Sequence, residues 1–416
     1  MRFALFFLVW LITLSAALYY VGRRLIKSSR LARKRKLFAW VLIVLWLIIP
    51  SVTFLLTILG RQSQTIDILS WAGYGLIALF SIVFTLVLVR DLLIVIGKGL
   101  VALGGGVARI FQHPLMKLRS HSGNDPKEKN GEAPSAAGRR EFLVQATNLG
   151  ILSASAPLLG YGIYEARRRA DIEQVFVPIA ELPPELEGFR IVQFSDLHAG
   201  PTIKRPYVER LVEQIDDLKA DLIVFTGDLV DGSVAHLRDD VAPLRELTTD
   251  HEVYFVTGNH EYYSGVLPWL EEADRLGFTV LINEHMVLQR GKARFVLAGV
   301  TDYGAGSFIA LHESDPRKAL AGAPIGLVKV LLAHQPKSIY EAEPAGATLQ
   351  LSGHTHGGQF FPWDHLARLA QPYIKGLHKH GSAWVYVSRG VGYWGPPVRL
   401  GIPPEISVIT LKASLA

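Results

Sequence analysis

"IVQFSDLH", Ile191 to His198, is an apolar run that stops on an acid and an imidazole two residues apart. Its β-branched and aromatic residues predict a buried strand, with Asp196 and His198 just past its end. The same construction recurs. "LIVFTGDLV" (222–230) runs into Asp228, "VYFVTGNHE" (253–261) into Asn259, His260 and Glu261, "VLLAHQP" (330–336) into His334, and "LQLSGHTHGG" (349–358) into His354 and His356. Further β-rich runs are "ARFVLAGV", "AWVYV" and "EISVITL", and helix-like stretches at 206–218 and 268–276 separate the earlier ones. Strands alternating with helices predict an α/β sheet domain over 175–416, and in such sheets sites assemble at the carboxyl ends of strands.

Each polar residue alone reads as an ordinary turn or loop residue. Together they make four imidazoles, two carboxylates and one amide, in a region holding 12 of the chain's 14 histidines. The chain has no cysteine, which excludes disulfides, thiolate zinc sites and cysteine nucleophiles. Nitrogen and oxygen ligands without sulfur suit Mn, Fe or Zn, and seven are too many for one ion.

The ordered blocks Asp-x-His, Gly-Asp, Gly-Asn-His-Glu, His and Gly-His-x-His resemble those of the calcineurin-like metallophosphoesterases over roughly residues 188–412. "GHTHGGQ" and "SRGVGYWGPP" are similar to its membrane-anchored bacterial branch. The resemblance implies a β-sandwich of two sheets flanked by helices, and two divalent ions. Asp196, His198 and His356 would hold one ion, Asn259, His334 and His354 the other, and Asp228 would bridge them. It implies hydrolysis of a phosphomonoester or phosphodiester by a metal-bridging hydroxide, with His260 as general acid. On this reading the glycines of Gly353–Gly358 keep a turn open while His354 and His356 serve different metals. Glu261 is expected either to orient a ligand ring or to be a solvated loop charge. Arg389 and Arg399 are read either as contacts for a substrate phosphate, whose geometry guanidinium matches, or as surface or structural pairs.

The N-terminal part is different in texture. Residues 3–21, 37–59 and 68–89 are apolar runs long enough to span a bilayer, which needs roughly 20 residues. Eight Lys/Arg and no acid lie between Arg23 and Lys36, which places that loop in the cytoplasm. Residues 92–111, with Lys98 and three consecutive glycines, are expected to lie on the inner surface and complete a membrane domain over 1–118; a further span there would invert all that follows. Residues 119–140 read as a disordered linker. Residues 141–165 follow Arg139-Arg140 and read equally as a twin-arginine export signal or as an ordinary membrane helix; Pro157 after the small residues 154–156 favours an uncleaved anchor. Either way the chain is carried outward, giving a multi-pass protein of the bacterial inner membrane with its catalytic domain outside the cytoplasm.

Residues 1–170 carry 22 basic against 7 acidic side chains, and 171–416 carry 21 against 30, so the basic excess belongs to the membrane part. An acidic domain without a basic groove argues against a long nucleic-acid partner. The expected substrate is a small-molecule or lipid phosphoester, and no feature of the sequence specifies a protein partner. The aromatics Phe360, Phe361, Trp363, Tyr373, Trp384, Tyr393 and Trp394 either meet the membrane interface or an acyl chain, or pack the second sheet. Rival readings are a cytoplasm-facing pyrophosphatase or phosphodiesterase acting on nucleotides or lipid precursors, and a catalytically silent metal-binding scaffold. The complete ligand set speaks against the latter.

Overall fold

The computed structural model describes residues 2–27, 29, 31–111, 136–360 and 363–414. Most of the expected linker lies outside the described residues.

Among the described residues four helices are long and apolar enough to cross a membrane: α1 (Arg2–Gly22), α2 (Arg33–Ile58), α3 (Gln64–Phe111) and α4 (Ala136–Arg167). Residues 68–89 and 92–111 belong to one uninterrupted helix, α3, whose 48 residues span roughly 72 Å at the α-helical rise, against about 30 Å of bilayer hydrocarbon. α4 already includes residues 136–140.

The described residues divide into two compact units, one drawn from 1–48 and 79–158, the other from 49–78 and 159–416. In the first, Leu18, Val21, Phe80, Val83, Val87 and Ile151 form an apolar core. At its polar end Asp91 accepts from Tyr20 (2.6 Å) and pairs with Arg24 (2.7 Å).

The second unit contains two six-stranded sheets. The first has the order β1 (Asp171–Ala180), β12 (Glu405–Ser414), β2 (Arg190–Phe194), β3 (Leu222–Phe225), β4 (Val253–Phe255), β5 (Thr279–Val280). The second has the order β10 (Gly376–His380), β11 (Ala383–Val387), β9 (Leu349–Ser352), β8 (Lys329–Leu332), β7 (Ala293–Gly299), β6 (Glu284–Arg290). β2 to β5 are parallel, as are β7, β8, β9 and β11.

Alternation along the strands builds the layers. Ile191, Leu222, Val224 and Tyr254 face Leu297, Val330, Leu332, Leu349 and Leu351 between the sheets. Val192, Phe194, Ile223, Phe225 and Phe255 face the opposite way, onto helices. Among those helices is α5 (Arg205–Asp216), which buries Tyr207, Val208, Leu211, Val212 and Ile215, a stripe of helical period. On the outer face of the second sheet Val296, Ala298, Leu331, Val385 and Val387 pack with Ile339 and Ala342. The result is the helix-flanked two-sheet α/β sandwich that the resemblance implies.

Candidate metal centre

Five parallel strands, three from one sheet and two from the other, deliver the expected ligands at their carboxyl ends. β2 leads to Asp196 and His198, β3 to Asp228, β4 to Asn259, β8 to His334, and β9 to His354 and His356.

The turns that follow are strained. Among the described residues nine non-glycine positions have positive φ, and five of them are Asp196 (57°), His198 (51°), Asp228 (58°), His354 (72°) and His356 (50°). A left-handed backbone costs an L-residue roughly 1–2 kcal/mol, so its concentration at these ligands means that the surrounding structure imposes it. Close approach imposes a second constraint. A Cβ at Gly258 would lie 2.1 Å from Asp228 Oδ1, and one at Gly353 would lie 2.3 Å from Asp196 Oδ2. Gly353 therefore leaves room for the carboxylate beside it, a different reason from an open turn.

Among the described residues three groups could hold an ion; one of them, His198, Asp231 and His260, shares His198 with the first of the two expected sets. Asp196, His198 and His356 form one, with His198 Nε2 3.0 Å from His356 Nε2 and Asp196 Oδ1 3.6 Å from His356 Nε2. Asp228, His334 and His354 form the other. Asp228 Oδ2 lies 3.6 Å from His198 Nε2 and 3.1 Å from His334 Nε2, so one carboxylate oxygen stands between the sets. Asn259 Oδ1 is buried and makes no hydrogen bond.

The ring nitrogens facing away from this centre are held. His334 Nδ1 donates to the Thr226 carbonyl (2.7 Å), and His198 Nδ1 donates to Asp231 (3.1 Å). Holding Nδ1 in this way points each Nε2 inward. Burial disfavours a charged His334, but Asp228 and Asp196 outweigh it and push the group up to about 10. Burial and the neighbouring His334 take His354 down to about 3. Burial alone would raise Asp228, yet His334, His260 and His198 hold it well below the usual carboxylate range. The carboxylates thus draw positive charge to the point where the two ligand sets meet.

The calcineurin-like phosphoesterase family profile matches residues 189–358. An uncharacterized metallophosphoesterase of Helicobacter pylori is 38% identical over 281 residues, covering 66% of this chain and 72% of that protein. The chain belongs to the calcineurin-like phosphoesterase family. Other relatives are the transmembrane protein with metallophosphoesterase domain of Danio rerio (37% identical, 63% of this chain, 62% of that protein) and the uncharacterized metallophosphoesterase YkuE of Bacillus subtilis (31%, 66% and 98%). The chain is accordingly a phosphoester hydrolase of a family that uses divalent metal.

Within this phosphoesterase, Asp231 is a residue that sequence reasoning missed. Its Oδ1 accepts from His260 Nδ1 (2.5 Å) as well as from His198 Nδ1, so one carboxylate joins a ligand ring to the expected acid. The signal was available three residues past Asp228 in "GDLVDG" but reads as a turn. Burial would lower His260, but Asp231 and Asp228 dominate and raise it to about 9. Glu261 is neither a ring partner nor a solvated charge. Fully buried, it accepts from the backbone N–H groups of Gly258 (2.6 Å), Leu229 (2.7 Å) and Asp228 (3.0 Å), and so fixes the loop that carries the central carboxylate.

Arg389 and Arg399 have partners within the scaffold. Arg389 pairs with Glu405 and with Glu173 (3.0 Å). Arg399 is fully buried and spends its donors on the carbonyls of Gly392, Arg389 and Ile402 (2.6–3.2 Å), with Nη2 3.3 Å from His356 Nδ1. Both belong to the scaffold behind the first ligand set. Of the late aromatics, Tyr393, Trp384 and Tyr373 pack in cores, whereas Trp394 is 52% exposed with its ring 5.8 Å from that of His260. The side chains of Phe361 and Trp363 lie outside the described residues.

Proposed function

We propose that the protein is a dinuclear phosphoesterase that hydrolyses a phosphomonoester or phosphodiester at a membrane-anchored site facing outside the cytoplasm. The observation that carries this is Asp228 Oδ2 between His198 Nε2 and His334 Nε2, a bridging position. Asp196, His198 and His356 would hold one ion, and Asn259, His334 and His354 the other. The residues fit: Asn259 Oδ1 is a buried acceptor with no hydrogen-bond donor beside it, and a set of imidazole, carboxylate and amide suits Mn, Fe or Zn. The chemistry such ions supply is acidification of water and neutralisation of phosphoryl charge.

The chain's own part is positioning and proton transfer. Asp231 orients His260 through Nδ1 and leaves Nε2 to protonate the departing alkoxide. Glu261 and the His260 N–H, which donates to Asp228 Oδ1 (2.9 Å), lock the bridging carboxylate. Asp228→Asn is expected to lower kcat at least a thousandfold with an unchanged circular dichroism spectrum. A variant of wild-type rate would remove the bridging role.

Sidedness is supported by the basic loop at 23–36 and by the unbroken α3, in which 92–111 makes no separate return span. The turn between α2 and α3 adds to this, because Gln62 Oε1 accepts from Ser233 N–H (3.2 Å) and Oγ (2.6 Å) of the catalytic domain. The name of the Danio rerio relative, a transmembrane protein, favours membrane attachment. Ile325 is 98% exposed and the chain is free of cysteine. Ile325→Cys should therefore react with a membrane-impermeant maleimide in intact cells. Labelling only after lysis would support the cytoplasm-facing reading.

A further inference from the structure

The rim of the metal centre is connected, contact by contact, to the helices read as membrane spans. The Trp394 ring lies against His260, and its main chain is clamped by Gln359. Trp394 N–H donates to Gln359 Oε1 (3.1 Å), and Gln359 Nε2 donates to the carbonyls of Trp394 (3.3 Å) and Pro396 (3.0 Å). The next residue, Phe360, is buried with Val398 and Leu400 against Ala78 of α3 and Leu159 and Ile163 of α4. Arg399 N–H donates to the Gly162 carbonyl of α4 (3.0 Å), where a Cβ on Gly162 would lie 2.6 Å from Val398. Ala78 stands ten residues into the apolar run that starts at Ile68, a depth of roughly 15 Å at the helical rise. The loops beside His260 are therefore seated on apolar helix below the level at which that run begins.

The same side of the centre carries exposed aromatics. Tyr263, 55% exposed, lies 5.1 Å from the His260 ring, and Phe308, 46% exposed, lies 5.6 Å from Tyr263. Half-exposed aromatic rings, those of Tyr and Trp above all, suit the boundary between water and lipid. His260 is the group that meets the leaving oxygen, so this rim receives the leaving group.

Resting on the phosphoesterase reading above, we propose that the substrate is a membrane-resident phosphoester whose leaving alcohol carries the apolar tail. The tail stays in the bilayer beside Trp394 and Tyr263 while the phosphate reaches the metal centre. Water oxygen forms the new bond to phosphorus, the bond from phosphorus to the lipid oxygen breaks, and His260 delivers a proton to that oxygen. A lipid alcohol remains in the membrane, and the phosphate-bearing fragment leaves into water.

The test uses the full chain loaded with Mn²⁺ and phosphatidylcholine vesicles carrying either phosphatidic acid or phosphatidylglycerol, with p-nitrophenyl phosphate and bis-p-nitrophenyl phosphate as soluble esters. Diacylglycerol is expected from at least one of the two lipids, with ¹⁸O from water appearing only in the phosphate product. Trp394→Ala is expected to lower the ratio of vesicle rate to soluble-ester rate at least tenfold, and Trp394→Phe to restore most of it. The exposed ring can be removed without losing the Gln359 clamp, which uses main-chain atoms of Trp394. Turnover of a soluble ester but of neither lipid would overturn the proposal. So would release of glycerol from phosphatidylglycerol, or a Trp394→Ala ratio equal to that of the wild type. If the metal-loaded protein hydrolyses neither soluble ester nor lipid, the phosphoesterase reading itself fails and the lipid proposal goes with it.

Discussion

At the scale of single residues, Asp231 is the hinge of the site. It accepts from Nδ1 of both His198 and His260, one a candidate ligand and the other the candidate acid. Asp231→Asn removes the charge that holds the His260 proton in place, so kcat should fall by about 10²-fold or more, the range for losing a positioned general acid. Because the two residues act as a unit, the double variant with His260→Ala should be little worse than His260→Ala alone. Rates that multiply instead would mean that Asp231 acts through His198, and metal content measured on each variant separates the routes. The ligands themselves were legible because their types and spacing are local. Asp231, Glu261 and Arg399 were not, since their roles depend on which backbone and side-chain groups the fold brings to them. Arg399 has the chemistry of a phosphate contact, and only its burial among the carbonyls of Gly392, Arg389 and Ile402 shows otherwise.

Among elements, the eight apolar runs read as strands are β2, β3, β4, β7, β8, β9, β11 and β12, the interiors of both sheets. The four unread strands, β1, β5, β6 and β10, are the four sheet edges. Edges meet solvent along one side and carry charge and proline there, as in "EHMVLQR", "GLHKH" and Pro178, so the periodicity that marks interior strands fades. The turn between α2 and α3 shows in the sequence only as the gap between two apolar runs. In the structure it is part of the catalytic domain's support. Gln62 caps Ser233, two residues from Asp231, and Asp67 pairs with Lys204 (2.9 Å) and His236 (3.1 Å). Gln62→Ala strands two donors at a part-buried site, a local loss of about 1–3 kcal/mol. Hydrogen exchange across 231–236 should accelerate, and kcat should fall more than KM rises. Unchanged exchange would reduce the contact to incidental packing.

For the whole molecule, the centre is where two sheets are joined by ligands rather than by strands. Each set draws on both sheets, and five of the ligand residues hold a left-handed backbone. Asp196 is pushed up chiefly by burial, with Asp228 adding to it, so a cation bound beside it would relieve the cost of its buried charge. Metal bound at a hundredfold excess over Kd stabilises the folded state by about 2.7 kcal/mol, which for a domain of this size is roughly 5–10 °C in Tm. Chelation with EDTA should therefore lower the unfolding temperature of the purified chain by that amount, and Mn²⁺, Fe²⁺ or Zn²⁺ should restore it. The shift should vanish in Asp228→Asn, which removes the oxygen charge shared by both sets. It should persist in Trp394→Ala, whose ring lies beside that of His260, the candidate acid. A chelation shift that survives in Asp228→Asn would locate the stabilising metal elsewhere in the chain and break the link between the buried carboxylates and the cation.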